Sequence, residues 1–206
     1  MSEQDFYRAE ARRRATAAVR AVEARTSAEL VIAVRRRSGD YRADAYHLGF
    51  GAMGLVVVAL LVAPQTFSVG AIVLDGFVAF LGASLLARNL DSIARPLVRR
   101  ARRQANVDLA GRAAFHELNI SRTSGRNGIL VFVSTFERAC AVIPDVGVDV
   151  GALGEPWEAA LRDLRAAVHR PDFEAFLAAF ERLGPILEAA MPRAEDDVNE
   201  LPDEVQ

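Results

Sequence analysis

Two long apolar runs, separated by only four residues, constrain this chain more than any other feature. LGFGAMGLVVVALLVAP (48–64) has no charged residue, VGAIVLDGFVAFLGASLLA (69–87) has one, Asp75, and QTFS (65–68) joins them. A membrane span needs about 20 apolar residues, with about 17 as the lower limit. Two buried core helices are the alternative, but such runs back to back would overfill the core of a 206-residue chain. The sequence therefore predicts a transmembrane helical hairpin over residues 46–88.

Arginines flank the two runs on their outer sides, whereas the joining loop has no basic residue. Because the excess of arginine beside membrane spans lies on the cytoplasmic side, both termini and the soluble domain are expected there. Neither run lies at the N-terminus, where a cleaved signal would be. The expected location is the inner (plasma) membrane, crossed by two spans. The arginines are Arg35, Arg36, Arg37 and Arg42 before the first run, and Arg88, Arg95, Arg99, Arg100, Arg102 and Arg103 after the second.

The lipid bilayer is the first expected partner. Juxtamembrane arginines attract anionic lipid at about 1 kcal/mol per charge. A nucleic-acid surface is the rival interpretation, but this stretch lacks interleaved aromatic residues and would lie against the bilayer, so no nucleic-acid partner is expected. Asp75 is an acid within a span and hence a candidate for transport or proton relay. It lies about six residues, or ~9 Å, from the start of its run, within reach of interfacial water.

The rest of the chain predicts a mixed α/β domain with helices on both faces of a small sheet. The predicted fold class is α/β: a three-layer α/β/α sandwich with a small mixed sheet, interrupted by the transmembrane hairpin. Its segments are 1–45 (first helix and strand), 46–88 (hairpin), 89–191 (remainder of the domain) and 192–206 (acidic mobile tail). The predicted elements are helices over 3–24 and from Ser92 to about Leu118, strands over 29–34, 128–134 and 139–145, and two amphipathic helices from Pro156.

Connection lengths predict the strand directions. A long crossover joins the first two strands, so they are expected to be parallel, and a tight turn makes the third antiparallel to the second. The start of the first strand, the start of the second and the end of the third would then share one edge. That edge is expected to collect Thr26, Glu29, the loop SRTSGRNG (121–128) and Asp145, and to point away from the bilayer.

The loop SRTSGRNG has a phosphate-binding interpretation, in which glycines let backbone N–H groups converge while Arg122 and Arg126 neutralise charge. However, GxxxxGK[ST] and GxGxxG are both missing, and no helix follows the loop. The favoured interpretation is a helix-to-strand turn. In that turn Asn127 and Gly128 adopt positive φ, and one of the two arginines pairs with an edge acid.

Cation binding is the third interpretation of the same edge. Glu29 and Asp145 supply hard oxygen ligands, and Thr123 or backbone carbonyls can add others, as calcium requires. Glu29 and Asp145 are therefore the candidate metal ligands, with Thr26, Arg122, Thr123 and Arg126 beside them. No DxDxDG calcium loop is present.

Other catalytic patterns are missing from the sequence. There is no G-x-S-x-G, and the single cysteine, Cys140, lies in the apolar run ACAVI and is expected to be a small buried hydrophobe. The three histidines, His47, His116 and His169, are scattered along the chain and are expected to have structural roles.

Four stretches together resemble the TPM domain family, in its bacterial membrane-anchored branch. They are TSAELVIAV (26–34), the helix ending FHEL at Leu118, TSGRNGILVFVS (123–134) and ERACAVIPDVGV (137–148). Trp157, the run Gly184 to Leu187 and the closing NELPD look similar to the same branch. The resemblance covers the chain except for the detail of the hairpin.

The resemblance implies an α/β/α sandwich, and for some members calcium binding or acid phosphatase activity. Carried to this chain, Glu29 and Asp145 are the acids that match the family's motifs, and Ca²⁺ is the one cofactor suggested. We therefore expect a membrane-anchored TPM-domain protein that acts as an interaction or assembly module with a candidate divalent-cation edge. A protein partner or a homo-oligomer in the membrane is expected. The alternative is a membrane-bound phosphatase that uses the same acidic edge.

Overall fold

A three-stranded mixed sheet with the order β1-β2-β3 organises the fold. Its strands are β1 (Glu29–Arg35), β2 (Gly128–Ser134) and β3 (Ala139–Pro144). β1 and β2 are parallel, with Glu29 opposite Gly128. β2 and β3 are antiparallel, with Ile129 opposite Pro144. Both predicted strand directions are confirmed.

The computed structural model describes residue 6, residues 8–193 and residues 200–201. The chain forms two units: Met1–Ser38 with Arg103–Gln206, and Gly39–Arg102. The sheet belongs to the first unit. The fold is mixed α/β with a small mixed sheet, as the sequence predicts. The described helices are α1 (Ala9–Glu23), α2 (Arg42–Val62), α3 (Val69–Asn89), α4 (Asp91–Leu97), α5 (Arg100–Glu117), α6 (Val150–His169), α7 (Phe173–Glu181) and α8 (Leu183–Ala190), with a 3-10 turn at Ile120–Arg122.

Each face of the sheet carries its own apolar cluster, because successive strand residues point to opposite faces. Leu30 and Ile32 pack into a first cluster supplied by α1, α6, α7 and α8, with Trp157 among its largest side chains. Val31 and Ala33 pack into a second cluster that includes Val107, Phe115 and Phe132. Every residue of β2 is buried, as expected for a central strand covered on both faces.

The predicted helix from Ser92 to Leu118 is two helices, α4 and α5. Val98 between them has an extended backbone, with φ −102° and ψ 125°. Pro96 removes one intrahelical donor near the end of α4, which favours a break there. Leu90 precedes α4, and the Ser92 side chain provides no cap.

Within the described residues, three helices, not two, follow the sheet. α6 begins at Val150, where the Asp149 carboxylate accepts the N–H of Ala152 at 3.1 Å. Gly154 has φ 59° and ψ −152°, a backbone conformation suited to glycine, and it kinks α6 just before Pro156. Leu183 then starts α8 directly after α7. The prediction had two amphipathic helices from Pro156.

The second unit contains two helices, α2 and α3, that are long and apolar enough to span a membrane. Most of their apolar side chains are exposed; Val62 and Val69, for example, are each 78% exposed. The helices touch through small residues. Gly49 of α2 lies against Ser84 and Phe80, and Gly76 of α3 lies against Val57 and Met53.

Candidate functional site

The structure brings the predicted edge residues together at the start of β1. We name Thr26, Glu29, residues 121–128 and Asp145 the polar edge. The N–H of Glu29 donates to the carbonyl of Asn127 at 3.3 Å, and the N–H of Asp145 donates to the carbonyl of Gly128 at 2.8 Å. The edge is thus the continuation of the sheet ladder beyond its last paired residues.

Arg126 and Asp145 form a two-pronged ion pair. Nε of Arg126 donates to Oδ2 of Asp145 at 2.8 Å, and Nη2 donates to Oδ1 at 3.0 Å. Burial would raise the pKa of Asp145, but the hydrogen bonds from Arg126 and from the N–H of Val146, with the charges of Arg126 and His116, lower it below its usual value. Asp145 is therefore a carboxylate at neutral pH, and Arg126 is the loop arginine that pairs with an edge acid.

The predicted positive φ of Asn127 and Gly128 is wrong; within the described residues of the loop, Arg126 has it, at φ 51°. Asn127 has a different role, because its amide Nδ2 donates to the carbonyl of Ser27 and ties the loop to β1. Gly128 is required by space. A Cβ there would lie 2.6 Å from Cγ2 of Ile120 and 2.7 Å from its carbonyl oxygen.

Gly147 locks the turn after β3 onto the loop. Its N–H donates to the carbonyl of Arg126 at 2.9 Å. A Cβ at Gly147 would lie 2.3 Å from the carbonyl oxygen of Gly125 and 2.6 Å from that of Arg126, so a side chain has no room. The run Asp145-x-Gly147 therefore contacts the loop at two points: the Asp145 side chain pairs with Arg126, and the Gly147 backbone packs against Gly125 and Arg126.

The two threonines of the polar edge are buried and serve the backbone. Oγ1 of Thr26 donates to the carbonyl of Met191 at 2.6 Å and accepts the N–H of Ala28 at 3.2 Å. Oγ1 of Thr123 accepts the N–H of Asn127 at 3.2 Å. Arg122, in contrast, is exposed. The threonines thus hold the backbone of the edge in place.

Glu29 binds a segment of the chain itself. Its two carboxylate oxygens accept the N–H of Glu200 at 3.3 Å and the N–H of Leu201 at 3.2 Å. The Glu200 carboxylate in turn accepts the hydroxyl of Ser124 at 2.5 Å and its N–H at 2.9 Å. These bonds lower the pKa of Glu200, and Leu201 packs against the second apolar cluster.

Sequence reasoning missed this contact, although NELPD was part of the resemblance. In the predicted tail, Pro192 bridges to Thr26, and the N–H of Arg193 donates to the carbonyl of Arg25 at 3.4 Å. Residues 194–199 and 202–206, on which the prediction of a mobile tail also falls, lie outside the described residues.

The cation interpretation meets a poor fit at the polar edge. Calcium takes six to eight oxygen ligands, usually with several carboxylates. Among the residues that the structure describes, no group of three or more histidine, cysteine, aspartate or glutamate side chains is placed to hold a metal ion. The Glu29 oxygens accept backbone N–H groups, and the Asp145 oxygens accept Arg126. As arranged, N–H donors of the chain occupy the carboxylate oxygens of both acids.

A second polar cluster lies at the other end of β1 and was not predicted. Glu137 is 2% exposed and accepts the Ser134 hydroxyl and, at 2.9 Å, the N–H of Ser38. The hydroxyl of Ser38 donates to that of Ser134 at 2.8 Å. Arg103 donates to the Glu137 carbonyl at 3.3 Å. These bonds fix the chain where it leaves the sheet.

The remaining candidates are separate from the polar edge. Asp75 is exposed on α3. Cys140 is buried, and burial raises the pKa of its thiol to about 12, so it is no nucleophile at neutral pH. The histidines lie on three different helices: His47 on α2, His116 at the end of α5 and His169 at the end of α6.

Comparison with known proteins gives a fold but no family. No family model matches the chain, and no curated protein matches it. A solved structure, the NMR structure of the BA42 protein from the psychrophilic bacterium Bizionia argentinensis, superposes with a TM-score of 0.57 at 15% sequence identity. The match covers 96% of this chain and 92% of that one. The chain is therefore similar in fold to BA42.

Proposed function

We propose that this protein is a membrane-anchored module for interaction or assembly, of the TPM type, and that it recognises its partner through the polar edge. In this proposal α2 and α3 form a transmembrane hairpin that interrupts a three-layer α/β/α sandwich. Two observations support this architecture: the sheet carries an apolar cluster on each face, and the two apolar helices expose their apolar side chains.

The proposed location is the inner membrane, with the sheet-containing unit in the cytoplasm. The support is the distribution of arginine, which is abundant outside both spans and missing from residues 65–68. Exposed arginines beside the spans, such as Arg88 and Arg99, would then contact anionic headgroups.

One observation carries the interaction role: the Glu29 carboxylate binds two consecutive backbone N–H groups of a distant chain segment. Successive backbone N–H groups that converge on an anion form a recognised anion-binding arrangement, and here the anion is the Glu29 side chain. Beside it the loop presents exposed side chains, Arg122, Ser124 and Arg126, on a backbone fixed by Gly147 and Thr123. A rigid edge with exposed polar groups suits binding of a protein partner.

Affinity capture of the full chain from detergent-solubilised membranes, after cross-linking, tests the proposal. We expect a Ser124→Ala/Arg122→Ala variant to lose the partner that the wild-type chain captures. The matched control is Arg162→Ala, which changes an exposed arginine on α6, paired with Glu155. Equal recovery of the same proteins by all three chains would contradict a role for the polar edge.

A divalent cation at Glu29 and Asp145 stays a prediction. Calorimetry on the full chain in detergent tests it directly, and no heat at millimolar calcium would remove it.

A further inference from the structure

The contact between Glu29 and residues 200–201 has the geometry of a ligand in a site. Three features of the segment are recognised: two adjacent N–H groups by Glu29, the Glu200 carboxylate by Ser124, and the Leu201 side chain by the second apolar cluster. A carboxylate that accepts two successive backbone N–H groups fixes a bent main chain, whatever its side chains, and Leu201 lies in a bend. Ser124 and the second apolar cluster determine which side chains the site accepts.

The order of the two side chains follows from this arrangement. Ser124 donates both its hydroxyl, at 2.5 Å, and its N–H, at 2.9 Å, to one carboxylate, so an acid fits here and a cation does not. The next residue packs against the cluster that contains Leu130 and Phe132, so it must be apolar.

We propose that the polar edge is a binding site for an acidic peptide with glutamate followed by leucine. The chain's own residues Glu200 and Leu201 fill the site in cis, and a partner protein with the same pair of residues takes it in trans. This inference rests on the proposed function, because it names the ligand chemistry of the same edge.

Residues 200–201 occupy the site and therefore lower its apparent affinity for any partner. Six residues separate Arg193, whose N–H donates to the carbonyl of Arg25, from Glu200. A linker this short gives an effective concentration on the order of millimolar. A free peptide must therefore compete with the tail, and weakening the tail should expose the site without altering it.

Binding of a dye-labelled peptide that spans residues 195–206 (EDDVNELPDEVQ), followed by fluorescence anisotropy, tests the inference. The receptors are the full chain and its Glu200→Gln/Leu201→Ala variant, both in detergent. We expect the variant to bind the peptide at least ~10-fold more tightly than the wild-type chain, because its own tail competes less. Adding Ser124→Ala to the variant should weaken binding about 10-fold, since the charge-assisted hydrogen bond from the hydroxyl is lost while that from the backbone N–H remains.

A control peptide carries the same two changes, glutamine and alanine, and keeps every other charge. Equal binding of both peptides, or equal binding by both receptors, would overturn the site. Matching thermal midpoints of the wild-type chain and the variants will show that each variant is folded.

The source of the peptide is decided by sedimentation of the wild-type chain. A dimer that forms on concentration and is lost in the Glu200→Gln/Leu201→Ala variant would overturn assignment to a different protein, since a second copy would then be the donor. If the peptide fails to bind while capture still depends on Arg122 and Ser124, this inference falls and the proposed function stands.

Discussion

Arg126 combines a positive φ of 51° with a two-pronged grip on Asp145. Positive φ is uncommon for a residue with a side chain, so the surrounding contacts must impose it. Gly147 does so from one side, by donating to the carbonyl of Arg126, and Thr123 does so from the other, by accepting the N–H of Arg126 at its carbonyl. At residue scale, the residues of this edge fix one another's backbone through these hydrogen bonds.

The ion pair predicts a pH dependence of stability. Asp145→Asn is expected to lower the thermal midpoint at neutral pH by about 2–5 °C, because Arg126 loses its charged partner. The pKa of Asp145 is lowered in the fold. A carboxyl with a lowered pKa stabilises the fold above its unfolded pKa, near 4, and loses that contribution as the pH falls through its folded value. The difference between wild type and variant should therefore shrink below about pH 4.

Thermal unfolding in detergent at a series of pH values measures this difference. The matched control is Asp163→Asn, whose pair with Arg182 is exposed on both sides and should change the midpoint little at any pH. If Asp145→Asn lowers the thermal midpoint by the same amount in strong acid as at neutral pH, the role of the ion pair is contradicted.

The sequence predicts the members of this edge but not their partners. Thr26, Glu29 and Asp145 meet because strand directions bring them together, and strand directions follow from connection length. Whether Arg122 or Arg126 pairs with an acid depends on the positive φ of Arg126, and no residue type in the loop imposes that angle. The contact with Glu200 joins residues 171 positions apart across polar sequence that carries no periodic signal.

At the scale of elements, strands and apolar helices were predicted well and helix ends poorly. β2 begins and ends as predicted, because glycine and serine bound a continuous apolar run. The break at Val98 and the start of α6 at Val150 were missed. The first depends on the loss of one donor at Pro96, and the second on a cap by Asp149 and a kink that only Gly154 permits.

The contact between α2 and α3 predicts which glycine matters. A Cβ at Gly49 would lie 2.1 Å from Oγ of Ser84 and 2.9 Å from the carbonyl oxygen of Phe80, whereas a Cβ at Gly54 meets nothing within 4 Å. Gly49→Val is therefore expected to destabilise the helix pair by about 1–3 kcal/mol, because α2 and α3 must separate.

Gly54→Val is the matched control, since it adds the same side chain to the same helix. The thermal midpoint in detergent and the cross-linking of Met53→Cys with Gly76→Cys measure the effect in each background. Equal losses in the two valine variants would show that the close approach at Gly49 does not hold the helices together.

At the scale of the whole molecule, charge and hydropathy are divided along the chain. Residues 104–206 carry nine arginines and eighteen acids, while the arginine excess lies around the spans. If the spans cross the membrane as proposed, both flanks lie in the cytoplasm and the joining loop lies outside.

Labelling with a membrane-impermeant maleimide in intact cells tests this arrangement. We expect Thr66→Cys, in the loop between α2 and α3, to react before lysis, and Ser124→Cys to react only after it. The native Cys140 is a built-in control, because burial and its raised pKa should leave it unlabelled in the folded chain. Reaction of Ser124→Cys in intact cells would overturn the cytoplasmic placement.

The parallel pairing of β1 with β2 has a consequence for biosynthesis. Glu29 lies opposite Gly128, 99 positions later in the chain, and both apolar helices are made in between. At about 5–20 residues per second, β1 waits on the order of 5–20 s for its partner strand. During that wait Leu30, Val31 and Ile32 have no sheet to enter. The ribosome, a chaperone or α1 must shield them until β2 is made. Conditions that slow translation should therefore favour misfolding that begins at β1.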